Sequence, residues 1–153
     1  MKNKKIRWGI IGLGNIANNF AIDLATIGDA ELFAVASRNK EKADMFSAKF
    51  NAKKAYSSYE DLVKEPEVDA VYIATPHSFH KEHSILCLKH KKAVLCEKPF
   101  AMNLQEVKEM IAVAKENSAL NNVTINFIEQ DILNTYKLSQ QYDIIVSNPP
   151  YVR

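Results

Sequence analysis

A glycine-rich turn near the amino terminus has residue types and spacing that suit phosphate binding. Residues 12–17 read GLGNIA, a GxGxxA pattern between an apolar, β-rich run and a stretch with helical periodicity. Gly12 permits a tight turn, Gly14 lets a pyrophosphate approach the backbone, and Ala17 allows close helix packing. The N–H groups that start the helix would face the phosphates. We predict that Gly12, Gly14, Asn15 and Ile16 bind a dinucleotide; the alternative is a plain glycine turn.

The residues that follow the next strand-like run help to distinguish NADP from NAD as the dinucleotide. Enzymes that use NAD usually carry an acidic residue there, which holds the ribose hydroxyls. Here the run at residues 32–36 is followed by Ser37, Arg38, Asn39 and Lys40. A hydroxyl and a guanidinium suit a 2′-phosphate, which arginine can bind through two parallel hydrogen bonds. Ser37 and Arg38 therefore predict NADP ahead of NAD; the alternative is that Arg38 and Lys40 lie on a solvated turn.

Strand-like and helix-like segments alternate along the first 117 residues. Apolar, β-rich runs occur at residues 6–11, 32–36, 70–74 and 93–96. Helical patterns cover residues 16–27, 40–50, 77 to about 88, and 103–117. Gly28 would end the first of these helices, and Asn103 with Glu106 would cap the last. The alternation predicts an α/β fold, a doubly wound, mainly parallel Rossmann-type sheet with helices on both faces.

Composition and charge give information on which kinds of partner the chain could bind. The 153 residues are 47% hydrophobic and 25% charged, with a net charge of +2. These values are ordinary for a globular domain and give no electrostatic reason to expect nucleic acid or a membrane surface. Cys87 and Cys96 lack a CxxC spacing, and His80 and His83 have no evident third ligand, so we predict no metal site. We expect a cytoplasmic protein that binds a small-molecule cofactor, with its oligomeric state left open.

Four short motifs follow one another in order between residues 12 and 99. They are the turn at 12–17, Ala-Ser-Arg at 36–38, Ile-Ala-Thr-Pro-His at 73–77 with His80, and Glu-Lys-Pro at 97–99. Together they resemble the N-terminal domain of the Gfo/Idh/MocA oxidoreductases, over about residues 1–117. The resemblance implies that Lys98 lies near the nicotinamide and positions substrate or assists proton transfer; the alternative is an exposed strand-end lysine. It also implies a cofactor cleft lined by Ala74, Thr75, Pro76, His80 and Glu97.

The last part of the chain has a different character. Residues 143–151 read DIIVSNPPY, in which Asn148 can accept a hydrogen bond from an amide and Tyr151 can hold a planar group against its ring. Residues 112–153 resemble the release-factor glutamine N5-methyltransferases (HemK/PrmC type). That resemblance implies a substrate site at Asn148, Pro149, Pro150 and Tyr151, with S-adenosylmethionine as cofactor. The glycine-rich loop of such enzymes is not found in methyltransferase form, and the alternative is a simple loop after a strand.

These patterns predict two segments, a dinucleotide-binding domain at 1–117 and a methyltransferase-like fragment at 118–153. The run at 123–128 could serve as the next strand of the sheet. We expect NAD(P) binding for hydride transfer to or from a sugar, polyol or related carbonyl. The substrate domain of such oxidoreductases is not found in these 153 residues, so the sequence predicts cofactor binding with little turnover. Two alternatives stay open: an S-adenosylmethionine-dependent protein methyltransferase and an inactive chimeric fragment.

Overall fold

A parallel sheet organises residues 5–120 and 122–125, the part of the chain that this computed structural model describes. In chain order the elements are β1 (Ile6–Ile11), α1 (Asn15–Leu24), β2 (Ala30–Ala36), α2 (Lys40–Phe50), β3 (Lys54–Tyr56), α3 (Tyr59–Lys64), β4 (Ala70–Ile73), α4 (His80–Lys89), β5 (Ala93–Cys96) and α5 (Leu104–Leu120), with a 3₁₀ turn at His77–Phe79. The strands lie in the order β3-β2-β1-β4-β5, and every neighbouring pair is parallel. The predicted doubly wound α/β fold is confirmed.

Helices cover both faces of this sheet. One face packs against α3 and α4, and its buried core includes Ile11, Phe33, Ile73, Leu62 and Cys87. The other face packs against α1 and α2, and its core includes Ile10, Val35, Tyr72, Ala17 and Phe46. Because successive strand residues point to opposite faces, a strand covered on both sides is apolar at nearly every position. This explains why the central strands are visible in the sequence as continuous apolar runs.

The chain order reverses between β1 and β4, and this reversal positions the candidate site. From β1 the chain passes to β2 and β3 on one side of the sheet, then crosses to β4 and β5 on the other. Strands β1 and β4 are direct neighbours, with Gly9 opposite Val71 and Ile11 opposite Ile73. The loops that follow these two strands therefore emerge side by side at the carboxyl edge. Ligands of open α/β sheets bind in the crevice at such a reversal.

The first helix differs from its prediction in length and in its buried face. It ends at Leu24 instead of continuing to Gly28, and Ile16 and Ile27, which the helical spacing placed on the apolar face, are 46% and 48% exposed. The residues that α1 buries are Ala17, Ala21 and Leu24. Small side chains allow the helix to lie close to the strands next to the glycine turn. Beside the turn, Ile16 is therefore left at the outer side of the helix, whereas Leu24 is buried at its far end.

Two short elements have no counterpart in the prediction. Strand β3 has three residues and α3 has six. The Ser58 hydroxyl caps α3 by accepting the Asp61 N–H at 3.1 Å. The predicted cap at the start of α5 is present, because the Asn103 side chain accepts the Glu106 N–H at 3.0 Å. The helix itself continues through Leu120.

The predictions for the carboxyl-terminal segment lie mostly outside the described residues. Residues 123–125, the first part of the predicted next strand, have no strand structure. The remainder of that run and the motif at Asn148, Pro149, Pro150 and Tyr151 fall outside the described ranges. The division of the chain at residue 117 therefore stays a prediction.

Candidate functional site

The turn after β1 depends on a glycine for two separate reasons. Gly12 has a φ of +83°, in the left-handed region that residues with a side chain rarely adopt. A Cβ at Gly12 would also lie 2.6 Å from the backbone nitrogen of Thr75 and 2.7 Å from the carbonyl carbon of Ala74. The turn therefore packs directly against the backbone that follows β4. This contact holds the two loops of the crevice together.

Gly14 leaves the amino-terminal end of α1 open. It is the N-cap residue, and within the described structure no side chain caps this helix and no acidic residue lies in its first turn. A Cβ at Gly14 would meet no described protein atom within 4 Å. The N–H groups of the first turn and the positive end of the helix dipole therefore face open space. The residues present fit the diphosphate of a dinucleotide, which needs this kind of donor set and a close approach to the backbone.

A cavity of about 350 Å³ lies in the crevice, and we call it the central cavity. Four segments of the chain contribute to its lining: the start of α1, the loop after β4, the start of α4, and the loop after β5. The lining residues are Ile16, Ala74, Thr75, Pro76, His77, His80, Glu97 and Lys98. All of them except His77 are residues that the sequence analysis placed at the site. The fold thus brings together residues that are up to 82 positions apart, from Ile16 to Lys98.

Glu97 and Lys98 reach the central cavity from the end of β5. The Glu97 N–H donates to the Ile73 carbonyl at 3.0 Å, so the ladder between β4 and β5 continues past the last strand residue. The Tyr72 hydroxyl donates to Oε1 of Glu97, and the Lys98 N–H donates to Oε2 at 3.2 Å. A carboxylate and an ammonium therefore share one wall of the cavity. The ammonium can donate to an oxygen of a bound molecule or hold a proton for it.

His80 ties two walls of the central cavity together. Its side chain is buried; Nδ1 lies 2.7 Å from the Pro99 carbonyl oxygen and Nε2 lies 2.9 Å from the Thr75 carbonyl oxygen. The ring thus bridges two backbone carbonyl oxygens, one in the loop after β4 and one after β5. His80 therefore fixes the loop after β4 against the loop after β5. Its ring nitrogens are directed at the protein, although the residue also lines the cavity.

A second cavity, of about 270 Å³, shares Thr75 and Pro76 with the first, and we call it the side cavity. Three rings line it. The His83 ring lies edge-on to Tyr59, with centroids 4.8 Å apart, and stacks near Phe79 at 5.7 Å. The pKa of His83 is lowered by burial, and its Nδ1 lies 2.9 Å from the Thr75 hydroxyl. A slot lined by three aromatic rings suits a planar aromatic base.

Charges of both signs also line the side cavity. Arg38 is exposed at one wall, and Glu60 and Glu82 contribute carboxylates. Ser37 precedes Arg38 and is buried, and its hydroxyl oxygen accepts the N–H of Asn39 at 3.2 Å. The Arg38 guanidinium offers only donors, whereas the two carboxylates only accept. The cavity can therefore bind a phosphate through Arg38 or ribose hydroxyls through a carboxylate.

Some predicted residues do not line either cavity. Gly12, Gly14 and Asn15 form the turn and helix start that precede Ile16, and Ser37 is buried at the end of β2. Four residues in or beside the two cavities were not predicted from the sequence: Tyr59, Tyr72, Phe79 and His83. Phe79 and His83 are four residues apart, which places them on one helical face, so their spacing was a usable signal. Tyr72 gives no such signal, because in the sequence it is one more apolar residue of a buried strand.

Two other kinds of site are not present within residues 5–120 and 122–125. No group of three or more His, Cys, Asp or Glu side chains there is arranged to hold a metal ion. His80 and His83, the pair with metal-ligand spacing, instead contact carbonyl and hydroxyl oxygens of Thr75 and Pro99. In the same ranges, no helix combines the length and the apolar character that crossing a bilayer requires.

The chain is similar to two dehydrogenases and to a ketoreductase of known structure. It is 49% identical over 112 residues to trans-1,2-dihydrobenzene-1,2-diol dehydrogenase of Mus musculus, covering 72% of this chain and 34% of that protein. It is 46% identical over 115 residues to scyllo-inositol 2-dehydrogenase (NADP(+)) IolU of Bacillus subtilis (strain 168), covering 75% and 35%. The crystal structure of KijD10, a 3-ketoreductase from Actinomadura kijaniata in complex with NADP and TDP-benzene, matches with a TM-score of 0.72 and 32% identity, covering 75% and 35%. The chain spans about one third of the length of the curated relatives it matches.

One family pattern extends over most of the chain. The Gfo/Idh/MocA pattern, described as an oxidoreductase family with an NAD-binding Rossmann fold, matches residues 6–127. This range includes every described strand and helix and both cavities. It also runs past residue 117, where the sequence analysis placed the end of the first domain. These similarities give no support to the methyltransferase resemblance of residues 112–153 or to S-adenosylmethionine as a cofactor. The chain belongs to the Gfo/Idh/MocA oxidoreductase family and carries its NAD-binding Rossmann fold.

Proposed function

We propose that this chain binds NADP(H) and serves as the cofactor domain of an oxidoreductase that acts on a sugar, polyol or related carbonyl. The observation that carries the proposal is the open amino-terminal end of α1, framed by Gly12 and Gly14 at the crevice between β1 and β4. A diphosphate bound at this helix end would direct one half of the dinucleotide toward each cavity. The central cavity, with Lys98, would take the nicotinamide, and the side cavity, with its three rings, would take the adenine.

The residues after β2 support NADP ahead of NAD. Arg38 can bind a 2′-phosphate through two parallel hydrogen bonds, and the Ser37 hydroxyl can donate to it because its oxygen already accepts an N–H. Glu60 accepts from the Ser58 hydroxyl at 2.9 Å, and its carboxylate would suit ribose hydroxyls but not a phosphate. Among the relatives, IolU is named for NADP(+) and the KijD10 structure contains NADP. We therefore assign the ribose phosphate to Arg38.

The residues of the central cavity would have separate tasks. A bound nicotinamide supplies or accepts the hydride. Nζ of Lys98 would donate a hydrogen bond to the substrate oxygen, or hold the proton that this oxygen gains or loses. His80 would keep the two loops at a fixed separation through Thr75 and Pro99. The Glu97 carboxylate, which only accepts, would suit a ribose hydroxyl.

The names of the relatives support the proposed substrate class. Trans-1,2-dihydrobenzene-1,2-diol and scyllo-inositol are ring alcohols with neighbouring hydroxyl groups, and a 3-ketoreductase acts by name on a keto group. Each reaction exchanges hydride with a carbon that bears oxygen. Because the chain spans about one third of these proteins, the substrate class is proposed for the whole protein and not assigned to the two cavities alone.

Titration of NADPH fluorescence tests the proposal directly. The wild-type chain should bind NADPH saturably and more tightly than NADH. Gly14→Val would place a branched side chain in the opening before α1, and it should weaken NADPH binding by about tenfold or more. Gly28→Val is the matched control, because a Cβ there also meets no described atom within 4 Å but lies beyond the other end of α1. Its affinity should stay within about twofold of the wild type.

Two results would overturn the proposal. One is the absence of saturable binding up to roughly 1 mM NADPH in a chain that circular dichroism shows to be folded. The other is an equal loss of affinity in the Gly14 and Gly28 variants, which would mean that the effect does not come from the opening before α1. A preference for NADH over NADPH would retain the dinucleotide site but refute the assignment of Arg38.

The methyltransferase-like motif remains a hypothesis from the sequence. Its residues Asn148, Pro149, Pro150 and Tyr151 lie outside the described part of the chain. Isothermal titration with S-adenosylmethionine tests it separately from NADPH binding. Heat of binding that is lost in Asn148→Ala would support the hypothesis, and no heat from the wild-type chain would contradict it.

A further inference from the structure

We infer that Tyr72 is a positioning residue for the cofactor cleft, acting through the carboxylate of Glu97. The inference rests on the proposed function, since it concerns how tightly and in which redox state the cofactor binds. Tyr72 of β4 is buried in a core cluster with apolar residues of β1, β2, α1 and α2, and it does not line either cavity. Its hydroxyl donates to Glu97, which does line the central cavity.

The register between β4 and β5 creates this contact. Tyr72 lies opposite Leu95 in the parallel ladder, and Glu97 follows Leu95 by two residues. Side chains two positions apart leave a strand on the same face. The bond from the Glu97 N–H to Ile73 extends the ladder, so Glu97 keeps that alternation although it lies beyond β5. The Glu97 carboxylate therefore lies on the same face of the sheet as the Tyr72 ring, the face that packs against α1 and α2.

Aromatic packing fixes the direction of the Tyr72 hydroxyl. The Phe20 ring of α1 stacks on the Tyr72 ring with centroids 3.8 Å apart and planes inclined by 14°. Trp8 of β1 contacts Phe20 edge-on at 5.5 Å. The ring cannot swing without disturbing this stack, and a buried hydroxyl requires a partner. The pKa of Tyr72 is raised by burial and by Glu97, which keeps the proton on the phenol and keeps the hydroxyl a donor.

Both oxygens of the Glu97 carboxylate are thereby held by the protein. Oε1 accepts from Tyr72, and Oε2 accepts from the N–H of Lys98. The first bond sets where the negative charge lies in the cavity, and the second links this charge to the backbone of the lysine beside it. Loss of the Tyr72 hydroxyl would remove the bond to Oε1, one of the contacts that set the direction of this carboxylate in the central cavity.

A fixed carboxylate in the cleft would change the relative affinity for the oxidised and reduced cofactor, which a purely structural contact would not do. The nicotinamide ring is cationic when oxidised and uncharged when reduced, so a nearby negative charge favours NADP⁺ over NADPH. Glu97 should therefore raise affinity for the oxidised form relative to the reduced form. Tyr72 should strengthen this preference because it holds the charge in place.

Two single variants, their double variant and a matched control test the inference through the dissociation constants of NADP⁺ and NADPH. Tyr72→Phe keeps the ring and its stack with Phe20, and should weaken NADP⁺ binding by about threefold to tenfold, with a smaller loss for NADPH. Glu97→Gln should shift the ratio of the two constants in the same direction by about tenfold. In the double variant Tyr72→Phe/Glu97→Gln, the tyrosine change should add less than about twofold, because its effect passes through the carboxylate.

The matched control is Tyr56→Phe. Tyr56 also donates from its hydroxyl to a carboxylate, Oε2 of Glu65 at 2.5 Å, and neither residue lines either cavity. This variant should lose stability comparable to that of Tyr72→Phe while both cofactor affinities stay within about twofold of the wild type.

The outcomes separate this inference from the proposed function. If the wild-type chain binds neither form of the cofactor, the proposed function fails and the inference fails with it. If the wild type binds but Tyr72→Phe weakens both forms equally, or has its full effect in the Glu97→Gln background, only the inference is overturned. A shift in the ratio that disappears without Glu97 supports it.

Discussion

Gly12→Ala should destabilise the folded chain far more than Gly14→Ala, although both changes add one methyl group to the same turn. At Gly12 the new Cβ meets three backbone atoms between 2.6 and 2.8 Å away, all from Ala74 and Thr75. None of these can move by rotating a side chain, so the end of β4 must shift relative to β1. The backbone at Gly12 also has a φ of +83°. At Gly14 the Cβ meets no described atom within 4 Å.

The size of the effect at Gly12 follows from these two contributions. The left-handed conformation costs an alanine about 1 to 2 kcal/mol relative to glycine. Overpacking against rigid neighbours costs about 1 to 3 kcal/mol more. A total of about 3 kcal/mol is a substantial part of the 5 to 15 kcal/mol that is typical of a whole domain, and it corresponds to a fall in Tm of about 10 °C. Gly14→Ala should cost less than about 1 kcal/mol, as expected for an N-cap change of this kind.

Urea unfolding followed by circular dichroism measures both free energies under the same conditions. The prediction concerns the difference between the unfolding free energies of the two variants. Both changes replace glycine by alanine, so their shared effect on the unfolded chain cancels in this difference. A Gly12→Ala protein that unfolds within about 0.5 kcal/mol of Gly14→Ala would refute the reasoning. It would mean that the loops after β1 and β4 do not pack as the structure shows.

Two further expectations concern charged groups. Arg38→Ala should weaken NADPH binding by about tenfold to a hundredfold and NADH binding by less than about threefold, because only NADPH has a phosphate for the guanidinium; equal losses in fluorescence titrations would contradict this assignment. Glu65 is bonded to Lys54 and Tyr56, which lower its pKa from 4.5 to about 2. Because the folded pKa lies below the unfolded one, this stabilisation is present above about pH 4.5 and is lost as the pH falls toward 2. Urea unfolding should show Glu65→Gln less stable than the wild type by about 2 kcal/mol at pH 7, with the difference shrinking at acid pH, and a difference independent of pH would be contrary to this expectation.

The strands visible in the sequence are those with continuous apolar runs. Helices cover both faces of β1, β2 and β4, so most of their residues are apolar. Strand β5 lies at one edge of the described sheet and none of its residues is fully buried, but all four are apolar. Strand β3 has three residues, all half-buried at the edge of the sheet, and its Lys54-Ala55-Tyr56 run has no comparable pattern. Helix α3 is too short for a periodic signal. Its start was nevertheless marked, because Ser58 followed three residues later by Asp61 is a capping pattern.

The buried face of α1 was predicted in part, and the part that was missed also explains the site. Leu24 is buried and Phe20 packs against the core, as the helical spacing predicts. Ile16 and Ile27 are exposed, however, and the helix buries Ala17 and Ala21. A helix that begins at a glycine turn must approach the strands closely beside that turn, and small side chains there permit that distance. The same closeness presents the N–H groups of the first turn to the crevice. The packing requirement and the binding site are therefore two results of one feature, the short turn at Gly12.

Motif spacing located the glycine turn and the start of α1, but it could not show which partners the polar side chains have. Glycines and helix ends act locally, so their role follows from sequence position alone. The use of His80 depends instead on where Pro99 lies, and that of Glu97 depends on the register that brings Tyr72 beneath it. Both residues have the chemistry of ligand-binding groups, yet each is bonded to a protein partner from another element. At the carboxyl ends of β4 and β5, the pairing of the strands therefore decides which charges the protein holds fixed, and the role that we propose for the Tyr72–Glu97 contact in cofactor preference depends on this pairing.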